Sequence, residues 1–505
     1  MSEPKSAPHP PLIRNPLSLI GILGSVSTFV VTLTLIIVDF FTVQANPYLG
    51  IFVYLILPLI LLMTLLLIPM GMWRERQRRR RDPSARILPF PHLDLNIRRH
   101  QIGLMIFVVG TVMTLTLLSV AGYRAYHFTD SVAFCGKLCH TVMKPEYTAY
   151  LYSPHARVSC ASCHVGPGAS WFVHSKLSGM YQVYSVTFKK YPRPIQTPVK
   201  NLRPAQDICE QCHWPAKFFG AQQKIFAHYL ADEKNSPWQI QMLIKVGGGD
   251  PAMSATTGIH WHMNIKNNID YIATDEKREV IPWVRSTDPK GHTTEYVTTE
   301  SPLTPEQITK AQIRRMDCMD CHNRPSHIFN APDRALDQAF FTGRIDTSLP
   351  YLKKQAILLL TKGYTTEEEA QKAVLTGLSQ FYQENYPTVF QQKGVSIRQA
   401  TEEVLRIYKT NFFPYMKVDW RTHPDHLGHL NSDGCFRCHD GLHKSTNGKV
   451  ITRDCNACHT ILGQGKPEDL AKTPPAAQSF RHPVDVGMDV AEEKCSICHT
   501  GAGGQ

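Results

Sequence analysis

Fourteen cysteines in 505 residues fall into seven pairs, and the second cysteine of every pair is followed at once by histidine. The motifs are Cys135/Cys139/His140, Cys160/Cys163/His164, Cys209/Cys212/His213, Cys318/Cys321/His322, Cys435/Cys438/His439, Cys455/Cys458/His459 and Cys495/Cys498/His499, with no cysteine left over. Six have the CxxCH spacing, in which two thiols add to the vinyl groups of a haem and the adjacent histidine coordinates its iron. The first is the looser CGKLCH. With 23 histidines in 505 residues, a given position is His about one time in 22, so seven in seven by accident is on the order of 10⁻⁹. The pattern implies seven covalently bound c-type haems.

Zinc ribbons and disulfide frameworks also use CxxC pairs. Neither explains an odd number of pairs or the invariable histidine. The formal charge of +12 invites a nucleic-acid reading, but its distribution argues otherwise. Residues 1–121 hold 11 Lys and Arg against 5 Asp and Glu, a surplus of +6. The remaining surplus lies in the haem-bearing part, where each ferric haem with two ionised propionates brings about one negative charge. The basic balance reads as membrane topology plus propionate neutralisation, with no nucleic-acid partner.

Three apolar stretches open the chain, at 17–41, 48–73 and 102–122, and Asp39 is the single charged residue among them. Each is long enough to cross about 30 Å of hydrocarbon as a helix rising about 1.5 Å per residue. Between the second and third, residues 74–101 carry nine Arg, including the run RERQRRRR, against three acids. Cytoplasmic loops retain Lys and Arg, so this loop is expected inside and everything after Gly122 outside, with all seven motifs on the side where c-type haems are assembled. VQA at 43–45 resembles a small-residue cleavage site, yet the preceding apolar run is well beyond the roughly 7 to 15 residues of a signal core. These features predict a three-pass membrane protein with its haem domains on the outer side of the membrane.

Beyond the membrane the chain is polar, Pro-rich and weakly periodic, as expected where macrocycles replace much of a side-chain core. The expected fold class is a multihaem cytochrome c, mostly short α-helices and loops packed around seven haems, with a small β insert. Four parts are expected: 1–122, a three-helix membrane anchor; 123–332, a tetrahaem domain whose β insert lies near 268–298; 333–411, a Cys-free helical spacer; and 412–505, a C-terminal trihaem domain. The insert reads YIATDEKREVIPWVR and then GHTTEYV, and the spacer has helical spacing with Ser or Thr caps and early acids.

Low-spin haem iron takes a second strong ligand, usually His or Met. Candidates near the motifs are His155, His327, His443 and His482; GIHWHM offers His260 and His262, and THPDHLGH offers His423, His426 and His429, with one member of each of these two groups expected to ligate. The first motif differs in its spacer and in its neighbour Met143, which reads either as a thioether ligand or as a packing residue.

CGKLCHTVM after an apolar segment, then YTAYLYSPHARVSCASCHVGPG and WFVHSKLSG, resemble the NapC/NirT family of membrane-anchored tetrahaem quinol dehydrogenases over about 102–213. With three spans and a trihaem extension, the whole resembles the seven-haem inner-membrane cytochromes of metal-reducing bacteria. In that family a Met just after the first motif and a Lys downstream of the second lie by the quinol, roles that fall here to Met143 and Lys176. This chain has a longer first spacer than the family's CxxCHxM, and Met143 stands three residues past His140.

The resemblance implies oxidation of menaquinol at the outer face, with electrons passing along the haems to periplasmic multihaem cytochromes in anaerobic or extracellular respiration. Lys176, Glu146 and Asp130 are the candidates for receiving the quinol protons. Two rival functions share many of the motifs. One is a terminal reductase acting on nitrite or hydroxylamine at an open haem; the other is a passive wire fed by a partner dehydrogenase.

Overall fold

The apolar stretch nearest the N-terminus forms helix α1, Pro16–Phe41. The second forms α2, Leu57–Arg81, with a proline in its first turn, where a missing N–H costs nothing, and four arginines in its last, where they meet the negative end of the helix dipole. The basic run is thus a helical continuation of the apolar segment. The computed structural model describes residues 12–41, 56–82, 94–138, 140–166, 169–199, 203–248, 258–263, 267–472, 474–490 and 493–503. By its internal contacts the chain divides into two units, Met1–Asp130 with Val165–Gln182, and Ser131–His164 with Val183–Gln505.

In the first unit α1 and α2 meet through small residues. The Ser18 hydroxyl donates to the Ile68 carbonyl at 2.9 Å, and Ser25 donates to Thr64 Oγ1 at 3.1 Å. A Cβ added at Gly21 would lie 2.9 Å from both the Ile68 side chain and the Thr64 carbonyl oxygen. Such close backbone approach is how helices associate where lipid removes the hydrophobic drive. The reading of three membrane spans is corrected to two: among the described residues, Pro16–Leu35 and Leu57–Arg81 are long and apolar enough to cross a membrane. Residues 102–122 lie within a third long helix, α3, Arg98–Thr129. Its length is ample, but its first turn is charged and the side chains at 114–119 and 121–123 are outside the described residues.

The second unit begins with α4, His140–Leu151, and receives the end of α5, Ala169–Thr187. Its strands are β1 Gln222–Tyr229, β2 Pro237–Ile244, β3 Asn268–Ile272, β4 Trp283–Thr287, β5 Thr293–Thr298, β6 Arg314–Arg315, β7 His443–Lys444 and β8 His459–Gly465. They make a three-stranded sheet in the order β1-β2-β8 and a five-stranded sheet in the order β6-β3-β4-β5-β7. The β3–β5 meander falls where alternation in 268–298 predicts it. The β1–β2 hairpin lies outside that window, and both sheets recruit strands from beyond residue 411, so the two ends of the unit are joined by backbone hydrogen bonds.

The Cys-free segment forms α6 Pro332–Phe341, α7 Leu352–Thr361, α8 Glu367–Asn385 and α9 Gly394–Asn411. Thr366 caps α8 by accepting from the Glu369 N–H, and three glutamates fill the first turn at the positive end of the dipole. Leu336, Leu352, Val374, Leu378, Tyr382, Val404 and Ile407 bury their side chains in one core, joined by Val142 and Ala149 of α4. Lys144 of α4 pairs with Glu367 at 2.7 Å. At the other end, the Asp333 N–H donates to the Gly501 carbonyl at 3.2 Å and the Trp420 indole to that of Thr500 at 2.9 Å. The helices therefore brace the segment of the first motif and the segment of the last. The hairpin docks on them through Asn235, left-handed at φ 44°, whose amide donates to the Thr347 and Leu349 carbonyls and whose oxygen accepts from the Lys353 N–H.

Candidate functional site

Each of the six CxxCH motifs sits on a single tight turn. The His213, His322, His439 and His499 N–H groups donate back to the carbonyls of Cys209, Cys318, Cys435 and Cys495 at 2.8–3.0 Å. That hydrogen bond closes the turn and fixes the histidine relative to the two thiols. Cys160–His164 is one short helix. At the first motif Cys135 lies in the π-turn Phe134–Leu138, where Gly136 has the Tyr147 ring against its Cα and no room for a Cβ. Cys139 and the His140 side chain lie outside the described residues. None of the described cysteines is in a disulfide.

The thiols differ in how far the protein encloses them. Cys135, Cys160, Cys163, Cys209, Cys318, Cys321, Cys438, Cys458 and Cys495 are half-buried, whereas Cys212, Cys435, Cys455 and Cys498 are exposed. The last motif shows the contrast within one turn. Cys498 ends the helix Cys495–Cys498 at the surface, while Cys495 at its start is half-buried and its thiol is pushed up by burial. Three residues apart on one turn, the two thiols share a helix face, as attachment to a single macrocycle requires, yet they differ in how far the protein encloses them. A macrocycle held by this pair would be enclosed along the Cys495 edge and open to solvent at the Cys498 edge.

Opposite six of the seven attachment histidines stands a second imidazole. Ring centroids are 6.3 Å apart for His164 and His327, 6.1 Å for His213 and His155, 6.4 Å for His322 and His260, 5.8 Å for His439 and His262, 6.1 Å for His459 and His429, and 6.0 Å for His499 and His482. Two imidazoles bonded from opposite sides to one metal, each at about 2 Å, place their ring centres about 6 Å apart. The pairs therefore fit a six-coordinate iron, and the thiols beside them fit the porphyrin that carries it.

The ring nitrogens agree. Nδ1 of His155, His260, His262, His327, His439 and His482 each faces a backbone carbonyl, those of Pro325, Val246, Ile259, Glu146, Thr452 and Val484, at 2.7–3.2 Å. An Nδ1–H held by a carbonyl fixes the tautomer and leaves Nε2 for the metal. Burial pushes His164, His260, His262, His322, His327, His429, His459 and His499 below the usual imidazole range, towards the neutral form that ligates.

The sites adjoin one another in chain order. The Cys160 thiol, lowered to about 7, shares a hydrogen bond with Cys135, and Cys163 lies within the field of Cys212. Cys209 hydrogen-bonds Cys318, and Cys321, pushed up to about 12 by burial, feels Cys435. Cys458, raised by burial to about 11, feels Cys435, and Cys495 Sγ is 3.8 Å from His429 Nδ1. Between the fourth and fifth motifs, Arg437 of CFRCH donates to the carbonyl of Asp320 in CMDCH at 2.6 Å. Asp320, 2% exposed, also accepts from the Tyr271 hydroxyl at 2.7 Å and from Arg278 and Arg314 at 2.9 Å. Sequence reasoning passed over Arg437 and Asp320; their position between attachment thiols was the available signal.

Two candidate ligands are placed elsewhere. His443, 1% exposed, spends both ring nitrogens, Nδ1 on Asp440 at 2.9 Å and Nε2 on the Ile281 carbonyl at 2.7 Å, so it has no lone pair for iron and instead ties β7 to the larger sheet. His426 is buried, has no hydrogen-bond partner at either ring nitrogen, and among the described residues stands opposite no attachment histidine. Among the quinol-site candidates, the Glu146 carboxylate is held by Arg324 at 3.2 Å and lies 3.3 Å from His327 Nδ1, so it is engaged in orienting a candidate ligand. Asp130 is half-buried just past the end of α3, and Met143 is half-buried in α4. The Lys176 side chain is outside the described residues.

The sequence of residues 97–200 matches the NapC/NirT cytochrome c family, N-terminal region. The chain is also similar to the cytochrome c-type protein ImcH of Geobacter sulfurreducens, at 46% identity over 488 residues, which is 97% of this chain and 95% of that protein. No solved structure matches.

Proposed function

We propose that this chain, which belongs to the NapC/NirT cytochrome c family, is a seven-haem cytochrome of the bacterial inner membrane. It oxidises menaquinol at the periplasmic face and delivers the electrons to periplasmic multihaem cytochromes. The observation that carries this reading is the unbroken adjacency of the seven motifs, six of them facing a second histidine at 5.8–6.4 Å.

Bound at these thiols and imidazoles, iron porphyrin supplies one-electron carriers, so sites adjoining in chain order make a route from the membrane-proximal end to the C-terminus. The chain's own part is to fix His155, His260, His262, His327, His439 and His482 through their Nδ1 hydrogen bonds and to exclude water by burial. Glu146 shares the Arg324 charge while facing His327, which keeps that ligand oriented. The first site stands apart by the longer spacer between Cys135 and Cys139 and by Met143, half-buried in the helix that follows it, and it is the site assigned to meet quinol. Quinol releases two protons with its two electrons, and Lys176 and Asp130 are the groups assigned to take them, Glu146 being already engaged. At the far end the exposed Cys498 marks the edge from which electrons leave for a docked acceptor.

The test is reduction of the purified, detergent-solubilised protein by a menaquinol analogue. Rapid reduction that a quinone-site inhibitor blocks supports quinol oxidation. Reduction only after a partner dehydrogenase is added assigns a wire, and turnover of nitrite or hydroxylamine with an artificial donor assigns a terminal reductase.

A further inference from the structure

At the junction of the fourth and fifth motifs lie two buried groups that the ligand pairs leave unused. His426 is 4% exposed, and both its Nδ1 and Nε2 lack a hydrogen-bond partner. A buried imidazole N–H with nothing to donate to costs about 1–3 kcal/mol, and native interiors rarely leave one so. The loop that carries it is pinned in place, so its position is not slack. The His426 N–H donates to Asn323 Oδ1 at 3.0 Å, and Asn323 Nδ2 donates to the Pro424 carbonyl at 2.9 Å, with Asn323 directly following the attachment residue His322.

Arg437, 8% exposed, faces the same junction from the fifth motif. Its guanidinium donates to three carbonyls, those of Gly434 at 2.8 Å, Arg278 at 2.7 Å and Asp320 at 2.6 Å. Carbonyl dipoles satisfy its protons but do not neutralise its charge, and a buried cation is favourable chiefly when an anion lies close. Burial and the charges of Arg437 and Arg278 disfavour a proton on His426, holding its imidazole down at about 4; the Asp320 carbonyl and carboxylate pull more weakly the other way. A neutral imidazole donor beside a guanidinium without a carboxylate partner is a binding site for a carboxylate.

We propose that His426 and Arg437 hold a porphyrin carboxylate at the junction of the fourth and fifth sites, His426 donating to it and Arg437 supplying the opposing charge. His426 is then a positioning residue whose effect reaches iron through the charge of that carboxylate. Binding an anion there also removes the two costs just described, the idle imidazole and the unneutralised guanidinium.

The experiment compares the full-length protein with its His426→Leu and His426→Gln variants in detergent. Haem content by pyridine haemochrome, low-spin iron signals by electron paramagnetic resonance, the propionate-bending region of the resonance Raman spectrum, and potentiometric titration are read on the same samples. The expected result for His426→Leu is unchanged haem content and low-spin signals, a shifted propionate band, and one midpoint potential moved to lower values, because a carboxylate that loses a donor concentrates more negative charge near iron. His426→Gln, which keeps a donor, restores the band and the potential in part. Loss of one low-spin signal makes His426 an iron ligand and overturns the assignment, as does a Leu variant whose Raman band and potentials superimpose on wild type. If His426→Leu does not fold, the Gln variant decides alone: a propionate band and one midpoint potential displaced part of the way in the expected direction, with every low-spin signal kept, support the donor role, whereas a Raman band and potentials that superimpose on wild type, or a lost low-spin signal, overturn it. Porphyrin at the fourth and fifth sites is the premise, so wild-type protein with too few haems refutes the haem reading itself and not the role of His426.

Discussion

His260 and His262 lie on one short turn, Ile259–Met263, yet they face attachment histidines of different motifs: His260 stands 6.4 Å from His322 and His262 stands 5.8 Å from His439. Their rings are nearly parallel to the first partner, at 8°, and nearly perpendicular to the second, at 87°. A single peptide turn therefore couples the fourth site to the fifth, across a gap of more than a hundred residues between their motifs.

Removing one of these two imidazoles should interrupt the route at a known place. His262→Ala is expected to convert one low-spin site to high spin while leaving haem content unchanged, since the thioether bonds do not depend on the distal ligand. His260→Ala should do the same at the neighbouring site. Electron paramagnetic resonance of the oxidised proteins reads this directly. Retention of every low-spin signal in both variants contradicts the pairing.

His443 makes the opposite prediction. It resembles a ligand in sequence, standing four residues past an attachment histidine, but its ring is consumed by Asp440 and the Ile281 carbonyl. His443→Leu should leave all low-spin signals intact. It should lower stability by about 1–3 kcal/mol, because two buried acceptors lose their donor. Thermal unfolding monitored by circular dichroism measures the loss, and disappearance of a low-spin signal would restore the ligand reading.

Much of the site was legible before any fold was known, and the contrast with His443 shows where legibility stops. Covalent attachment dictates local sequence, so seven motifs stand out whatever surrounds them. How deeply each thiol is enclosed does not follow from the motif, as the half-buried Cys495 and the exposed Cys498 show. The histidines that stand opposite the motifs, His155, His260, His262, His327, His429 and His482, were all among the sequence's candidates because imidazole is the common second ligand, but so were His423, His426 and His443, and one member of GIHWHM was expected where both face a motif. Which motif each one serves was not legible: His155 sits just before the second motif yet faces His213 of the third. That choice is made by tertiary packing, and sequence distance does not report it. The fold followed the same rule. Alternation located β3, β4 and β5, and amphipathic runs located α8 and α9, since both signals are local; Thr366 caps α8, whereas α9 begins at Gly394, ahead of Ser396 and without a side-chain cap. The pairing of β2 with β8 joins residues more than two hundred positions apart, and only the folded chain reveals it. The third apolar stretch, 102–122, lies within α3, but the side chains at 114–119 and 121–123 are outside the described residues, so among those described two helices are long and apolar enough to span.

Lys353 and Asp337 form an ion pair in which both side chains are 8% exposed, and Asp337 also accepts from the Tyr229 N–H at 3.0 Å. It binds α7 to α6 and to the end of β1, beneath the last site. Breaking such a pair strands one charge in the interior, so Asp337→Ala should cost about 3–5 kcal/mol. Replacing both partners, Asp337→Leu with Lys353→Met, should recover a large part of that loss. Denaturant unfolding of the single and double variants separates these outcomes; a single variant as stable as wild type would mean that the charge is solvated after all.

Acid should weaken the larger sheet through Asp270. Burial alone would raise its carboxyl, but hydrogen bonds from Arg315 at 2.6 Å and Arg285 at 3.0 Å outweigh it and hold the group below the usual carboxylate range. A carboxylate depressed in the folded state stabilises the fold at pH values above its unfolded value, about 3.9, and that contribution vanishes as pH falls through the lower folded value. Wild-type protein should therefore lose stability between about pH 4 and pH 2 more steeply than Asp270→Asn, which gives up about 1–3 kcal/mol at neutral pH and has no carboxyl left to titrate. Urea midpoints recorded from pH 7 down to pH 2 test the difference. Parallel pH profiles for the two proteins would show that Asp270 contributes nothing through its charge.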